Sequence, residues 1–164
     1  MHNTATAVVF EKPGHMALRA VGLVEPADSD CVVEVLWSGI STGTERLLWD
    51  GRMPAFPGLA YPLVPGYEAI GRIREAGARS DRRAGQFVFV PGARCYGDVQ
   101  GLFGGSASRL VVPGRRTLPV DEQFGERGVL LALAATAYNA IRAPEGGYRL
   151  PELIVGHGVL GRLL

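Results

Sequence analysis

Up to Pro119 the chain is built from short hydrophobic stretches, many rich in β-branched residues, separated by glycine and proline. Stretches of this length between turn signals predict β-strands rather than helices. We expect strands over residues 4–10, 17–21, 31–37, 69–74, 86–90 and 109–112. The first two flank Lys12-Pro13-Gly14, a turn signal, and should form a hairpin. This part of the chain is therefore predicted to be mainly β.

Two segments interrupt the strand pattern. In Ser41–Gly51, Thr42 and Glu45 have capping-box spacing and Gly51 is a plausible stop, which predicts a short helix. From Met53 to Gly66 the chain carries prolines at 54, 57, 62 and 65. That density predicts a long loop without regular structure, and such loops are often functional.

A helix is predicted over Val129–Ile141, which is rich in Ala and Leu and apolar on nearly all sides. A helix of this kind is expected to be buried. Breakers follow it at Pro144, Gly146 and Gly147. The hydrophobic pattern thus changes from short strands to a helix in this part of the chain.

The segment after that helix has the pattern of a strand followed by a glycine-rich turn. Leu153–Val155 leads into Gly156, Gly158 and Gly161, the G-x-G-x-x-G spacing of a dinucleotide-binding turn. The first glycine permits the tight turn, the second lets the backbone approach a pyrophosphate, and the third allows close helix packing. The alternative is a turn that has this spacing by chance, since the chain has 23 glycines.

Composition narrows the functional class. The chain has 164 residues, 47% of them hydrophobic, which is enough for one hydrophobic core. Its net charge of +1 does not indicate a basic surface for binding nucleic acid. No apolar run reaches membrane-span length, and Met1–Ala5 does not begin a signal peptide, so we expect a cytoplasmic protein. Cys31 is predicted to be a buried strand residue, whereas Cys95 is either structural or reactive.

Three motifs occur in a characteristic order. Ser38–Glu45 resembles a G-[IV]-C-x-T-D segment, Pro65–Gly71 a G-H-E-x-x-G segment, and Gly156–Gly161 a cofactor turn. Together they resemble the medium-chain dehydrogenase/reductase superfamily. The resemblance implies a mainly β protein with some α: a chaperonin-10-like (GroES-like) β-barrel catalytic domain followed by a Rossmann domain that binds NAD or NADP.

The resemblance also implies domain limits. We expect the catalytic domain over residues 1–125, a linking helix and connection over 126–150, and the first strand and turn of the Rossmann domain over 151–164. The crossover helix and the ribose-binding acid would then lie beyond Leu164. The 164 residues alone are accordingly expected to be inactive and to bind NAD(H) negligibly.

The metal positions of the superfamily are changed in this sequence. By the resemblance, the three zinc-ligand positions correspond to Ser41, Tyr67 and a residue near Ala132. None of these is a good zinc ligand, and the single carboxylate of Glu68 cannot hold the ion. No C-x-x-C pair supports a structural zinc either, so we predict a zinc-free protein.

Without zinc, other side chains must hold the reacting hydroxyl. Ser41, Thr44 and Tyr67, with Glu68 beside them, are the candidate catalytic residues. The alternative for Tyr67 and Glu68 is that they only fill the space of the metal. By the resemblance Thr136 lies beside the nicotinamide, although a helix threonine can also simply bond to a carbonyl one turn earlier.

Aromatic residues near the proline-rich loop suggest the substrate. Trp49, Phe56 and Tyr61 suit a large flat molecule, or alternatively form a hydrophobic lid. A narrower similarity is to superfamily members that oxidise a 3-(1-hydroxyethyl) group on a tetrapyrrole macrocycle of bacteriochlorophyll biosynthesis. The alternatives are a zinc-independent quinone or enone reductase and a non-catalytic binding module. Whether the protein forms homo-oligomers is left open.

Overall fold

The computed structural model describes residues 4–143, 147–148 and 151–164. It divides into two compact units, one up to Val129 and one from Leu130 to Leu164. The sequence prediction had placed this division between residues 125 and 126. In the described part no helix is long and apolar enough to cross a membrane. Met1–Asn3, which the signal-peptide prediction concerns, lie outside the described residues.

The first unit contains a four-stranded sheet in the order β2-β1-β4-β7. Its strands are β1 (Thr4–Lys12), β2 (His15–Gly22), β4 (Leu63–Val64) and β7 (Gln100–Gly101). The predicted hairpin is confirmed, because β1 and β2 pair antiparallel from Thr4 opposite Gly22 onwards. Alternate residues of β1, Ala5, Ala7 and Val9, are buried, as a strand with one face on the core requires.

The second sheet has five strands in the order β8-β3-β5-β6-β9. They are β3 (Asp30–Ser38), β5 (Ala69–Ala76), β6 (Phe87–Val90), β8 (Arg109–Pro113) and β9 (Leu118–Pro119). Consecutive apolar residues such as those of Phe87–Val90 are all buried. One core cluster draws on both sheets, with Val9 and Val21 from one and Val33 and Ile73 from the other. All six predicted strands are present, most of them longer than predicted.

The proline-rich segment corrects one prediction. It was expected to lack regular structure, but Leu63–Val64 forms β4, which pairs antiparallel with β1 at Phe10 and parallel with β7. Both residues are fully buried. Their strand partners and core contacts come from distant parts of the chain, which the spacing of the prolines does not reveal. The rest of the segment from Met53 to Gly66 contains no strand or helix.

Helix α1 (Thr44–Trp49) confirms the short predicted helix and corrects its capping. The N-cap is Gly43, and no side chain caps the helix, so the predicted role of Thr42 is wrong. Glu45 instead accepts a hydrogen bond from the N–H of Ser41. Gly51, with φ of +68°, ends the helix as predicted, because that conformation is easy only for glycine.

The second unit contains α2 (Leu131–Ile141), β10 (Arg142–Ala143), β11 (Gly147–Tyr148) and α3 (Val159–Leu163). A 3₁₀ segment over Glu122–Leu130, kinked at Gly125, precedes α2. The helix was predicted to be buried, yet Ala137 is its only buried residue in this structure. Within its unit it packs mainly on the short α3, which is too small to cover an apolar surface on all sides.

The predicted strand at Leu153–Val155 is not observed. These residues have no strand assignment, and Leu153 and Val155 are 78% and 91% exposed. A strand is stable only beside a hydrogen-bonded partner, and the described residues supply none here. Pro144 and Gly146, predicted to end α2, lie outside the described residues.

Candidate active site

Two segments converge at the amino end of α1: the loop from Gly39 to Gly43, and Tyr67-Glu68 just before β5. The N–H of Gly39 donates a 2.9 Å hydrogen bond to the carbonyl of Glu68. A Cβ on Gly39 would lie 2.9 Å from Cβ of Glu68 and would meet its carboxyl group as well. The close approach therefore depends on glycine at position 39.

Two carboxyl groups are buried at this junction. Glu45 is 6% exposed and Glu68 is 3% exposed. Burial raises the pKa of Glu45 to about 7; the hydrogen bond from Ser41 opposes the rise, and the charge of Glu68 adds to it. Burial also raises the pKa of Glu68, whose Oε1 has no hydrogen-bond partner in the described structure. Each group therefore holds a proton more readily than an exposed glutamate.

The hydroxyl groups of Thr44 and Tyr67 lie next to each other. Their oxygens are 3.4 Å apart, and either can be the donor. The Tyr67 ring packs edge-on against Phe103 with centroids 5.3 Å apart, which fixes its orientation. The structure thus brings together Ser41, Thr44, Tyr67 and Glu68, the four residues that sequence reasoning proposed for catalysis.

A cavity of about 350 Å³ opens beside these residues. It is lined by Ile40, Ser41, Thr42, Glu45, Arg46 and Trp49. Trp49 is 36% exposed and its ring contacts Phe10 edge-on at 5.8 Å, so one predicted substrate residue forms part of the cavity wall. The cavity combines an apolar wall with a hydroxyl, a carboxyl and a guanidinium group, the mixture expected of a ligand site.

The other two predicted substrate residues do not line this cavity. Tyr61 donates a hydrogen bond from its hydroxyl to the carbonyl of Leu48 and packs against the cluster of Phe10, Leu48, Leu63 and Leu102. It therefore attaches the proline-rich loop to α1, as the lid alternative expects. Phe56 is 38% exposed on that loop. Their contact with substrate stays a prediction.

The donors at the metal positions of the superfamily do not suit zinc. Ser41 and Tyr67 offer hydroxyl oxygens, and the apolar residues of α2 near Ala132 offer no donor at all. Among the described residues, no three His, Cys, Asp or Glu side chains are grouped so as to hold a metal. Cys95 is fully buried and burial raises the pKa of its thiol, which disfavours the reactive thiolate.

Two of the three glycines of the predicted turn occupy positions that disfavour a side chain. Gly156 has φ of +98°, and Gly158 directly precedes α3. A Cβ on Gly161 would lie 2.5 Å from the carbonyl oxygen of Gly156, so the helix packs on the turn only with glycine there. In the same unit, Thr136 donates to the carbonyl of Ala132 at 3.1 Å, the ordinary bond of a helix threonine.

Sequence reasoning missed Glu45 as a member of the site. The capping-box spacing assigned it to the helix start, whereas in the structure it is buried and feels the charge of Glu68, more than 20 residues further along the chain. The resemblance gave no signal for it, because counting from Ser41 at the cysteine position puts the acidic end of the G-[IV]-C-x-T-D segment at Thr44.

Comparisons with known proteins agree with this architecture. A family model described as the alcohol dehydrogenase GroES-like domain matches residues 27–122. The 2-desacetyl-2-hydroxyethyl bacteriochlorophyllide A dehydrogenase of Cereibacter sphaeroides is 50% identical, over 97% of this chain and 51% of that protein. The Rhodobacter capsulatus protein of the same name is 49% identical, over 96% of this chain and 50% of its own length. The chain thus spans about half the length of these relatives.

Among solved structures, the CAD of Helicobacter pylori complexed with NADP(H) matches with a TM-score of 0.70 and 19% identity. The match covers 86% of this chain and 49% of that one. At this identity the likeness shows the fold alone. The prediction of a mainly β, GroES-like fold is confirmed.

Proposed function

The chain belongs to the alcohol dehydrogenase GroES-like domain family, and from this premise we propose that it forms the substrate side of a nicotinamide-dependent alcohol dehydrogenase. The proposed reaction is oxidation of the 3-(1-hydroxyethyl) group of a bacteriochlorophyllide to a 3-acetyl group. The observation that carries this proposal is the 50% identity, over 97% of the chain, with a dehydrogenase whose name specifies a hydroxyethyl bacteriochlorophyllide.

Oxidation of the alcohol requires a proton to leave the hydroxyl while a hydride leaves the carbon. A bound nicotinamide supplies the hydride acceptor. In the proposal, Ser41, Thr44 and Tyr67 orient the substrate hydroxyl: Ser41 lines the cavity, Thr44 precedes Glu45 of the cavity wall, and the Tyr67 hydroxyl lies 3.4 Å from that of Thr44. Trp49 provides an apolar wall for the edge of the macrocycle.

The proposed cofactor is NAD or NADP, held by Gly156, Gly158 and Gly161. The residues fit this role, because Gly156 adopts a positive φ and Gly161 touches the turn too closely for a side chain. A Rossmann domain beginning in residues 151–164 belongs to this proposal, as does a place for Thr136 beside the nicotinamide.

We further propose that the reaction proceeds without zinc. The hydroxyl groups of Ser41 and Tyr67 and the apolar side chains near Ala132 are not the ligands that catalytic zinc requires. The substrate hydroxyl must then be held by protein side chains alone. A cytoplasmic location and the absence of nucleic-acid partners stay predictions from the sequence.

The test uses the whole protein, purified and analysed for metal content. We expect the 3-(1-hydroxyethyl) bacteriochlorophyllide with NAD⁺ or NADP⁺ to yield reduced cofactor and the 3-acetyl product, identified by mass. Activity should persist after treatment with a zinc chelator. A matched assay offers a quinone or an enone with reduced cofactor. Turnover of those compounds without macrocycle oxidation would favour a zinc-independent reductase, and stoichiometric zinc would contradict the zinc-free mechanism.

A further inference from the structure

Glu45 and Glu68 are an unusual pair of buried groups. Glutamate is rarely buried unless it is paired with a cation, because removing a carboxylate from water is costly. In the part of the chain that the structure describes, no ion pair joins either group to a cation. The nearest cation in sequence, Arg46, pairs with Asp50 at 3.7 Å. The fold therefore keeps two uncompensated carboxyl groups at its candidate active site.

The two groups occupy different depths. Glu45 lines the cavity of about 350 Å³, and its Oε2 is held by the N–H of Ser41. Glu68 lies behind it against Gly39, and its buried Oε1 has no hydrogen-bond partner in the described residues. Only Glu45 is placed to meet a molecule in the cavity.

A purely structural role would explain the position of Glu45 but not that of Glu68. The bond from Ser41 to Glu45 stabilises the turn before α1, and a neutral glutamine could accept that bond equally well. The burial of Glu68 gains no hydrogen bond for its Oε1 and adds a second acidic group beside the first. A purely structural site would be more stable with neutral side chains in both positions.

We propose that Glu45 is the proton acceptor for the substrate hydroxyl and that Glu68 is a positioning residue that tunes it. This inference rests on the proposed alcohol oxidation. The O–H bond of the substrate breaks and its proton passes to the carboxylate of Glu45, while the oxygen keeps the electron pair and forms the second C–O bond. The C–H bond breaks with its electron pair, and a nicotinamide, when bound, would accept the hydride. The proton on Glu45 then passes to water at the cavity mouth.

The electrostatics agree with this role. Among the described residues, the titratable or charged groups around this part of α1 are Glu68, Tyr67, Tyr61, Arg46, Asp50 and Arg52, the last of which pairs with Asp50. Of these, Glu68 is the one whose charge raises the pKa of Glu45, which lies at about 7. A base with that pKa is deprotonated over the upper physiological range and still accepts a proton readily. Activity should therefore rise with pH through about 7.

The test replaces each carboxyl group in the whole protein. Glu45→Gln should lower kcat by roughly 10²-fold or more, the usual contribution of a general base, without loss of macrocycle binding. Glu45→Asp should restore part of the activity. Glu68→Gln removes the neighbouring negative charge, so the acidic limb of the pH profile should move to lower pH. Glu75→Gln, which changes an exposed glutamate of β5, is the matched control and should match the wild type.

A direct titration provides a readout independent of turnover. The carboxyl carbon of Glu45, assigned by its loss in Glu45→Gln, should titrate near pH 7 in ¹³C-glutamate-labelled protein and at lower pH in Glu68→Gln. If the wild type oxidises the macrocycle and Glu45→Gln has the same kcat and the same pH profile, the proton-acceptor inference is wrong while the proposed function stands. An inactive wild type would overturn the proposed function, and the proton-acceptor role with it.

Discussion

At the scale of single residues, the site depends on the absence of a side chain at Gly39. A methyl group there would collide with the Glu68 side chain, including its Cβ at 2.9 Å, where the backbone of Gly39 also bonds to Glu68. We expect Gly39→Ala to lower the free energy of unfolding by about 1–3 kcal/mol, the range for overpacking a tight contact. Chemical denaturation measures the change.

Gly43 offers the matched control for this prediction. It lies four residues further along the same loop, its φ is −80°, and a Cβ there would meet no atom within 4 Å. Gly43→Ala should therefore leave stability nearly unchanged. Equal effects of the two substitutions would show that the contact between Gly39 and Glu68 does not hold the loop.

Site residues that lie within a short sequence motif could be predicted, whereas those that depend on contacts between distant segments could not. Ser41, Thr44, Tyr67 and Glu68 lie in two short motifs, and the resemblance placed both motifs at one site. Glu45 was assigned to helix capping because it lies three residues after Thr42, and that spacing does not distinguish a capping glutamate from a buried one. Its burial arises where α1 meets the segment before β5, and such a contact is encoded in no single stretch of sequence.

At the scale of elements, the hydroxyl of Tyr61 is one connection between the proline-rich loop and α1, beside the hydrogen bond from the N–H of Met53 to the carbonyl of Leu47. It donates to the carbonyl of Leu48, which is fully buried in the helix. We expect Tyr61→Phe to destabilise the protein by about 0.5–1.5 kcal/mol, the usual net value of one hydrogen bond. Thermal unfolding measures this loss.

Phe56 separates the two interpretations of the loop, with Tyr61→Phe as the control that keeps its ring. If Tyr61 and Phe56 stack on the macrocycle, Tyr61→Phe should preserve substrate affinity, because the ring remains, while Phe56→Ala should weaken it. If the loop is only a lid, Phe56→Ala should bind the macrocycle as the wild type does. Absorbance titration of the macrocycle into the whole protein distinguishes these results.

The strands and the helices differ in how far the sequence predicts them. Alternating or continuous apolar runs predicted the long strands, because each such strand carries its own pattern. The two residues of β4 are a strand only because β1 and β7 lie beside them. For the same reason Leu153–Val155, which has a strand-like composition but no partner in the described residues, is not one. The apolar surface of α2 likewise predicted burial that its described neighbours do not provide.

At the scale of the molecule, the two units carry different parts of the proposed chemistry. The unit up to Val129 contains the cavity, the hydroxyl groups and the buried carboxyl pair. The unit from Leu130 contains Thr136 and the glycine turn. The proposed oxidation requires both, since the first deprotonates the alcohol and the second begins the site of the hydride acceptor. The function of the glycine turn is therefore the decisive question for the molecule as a whole.

Substitutions at two glycines of that turn distinguish a role in cofactor binding from a purely structural role. A Cβ at Gly158 would meet no atom within 4 Å, whereas one at Gly161 would lie 2.5 Å from the carbonyl oxygen of Gly156. Gly161→Ala should therefore lower the melting temperature whatever the turn binds. Gly158→Ala should leave it unchanged, yet its methyl group would occupy the space that a pyrophosphate needs. In the whole protein we expect Gly158→Ala to raise the Kd for reduced cofactor at least about tenfold, equivalent to ~1.4 kcal/mol, by calorimetric titration. Wild-type affinity in Gly158→Ala would show that this turn does not hold the cofactor.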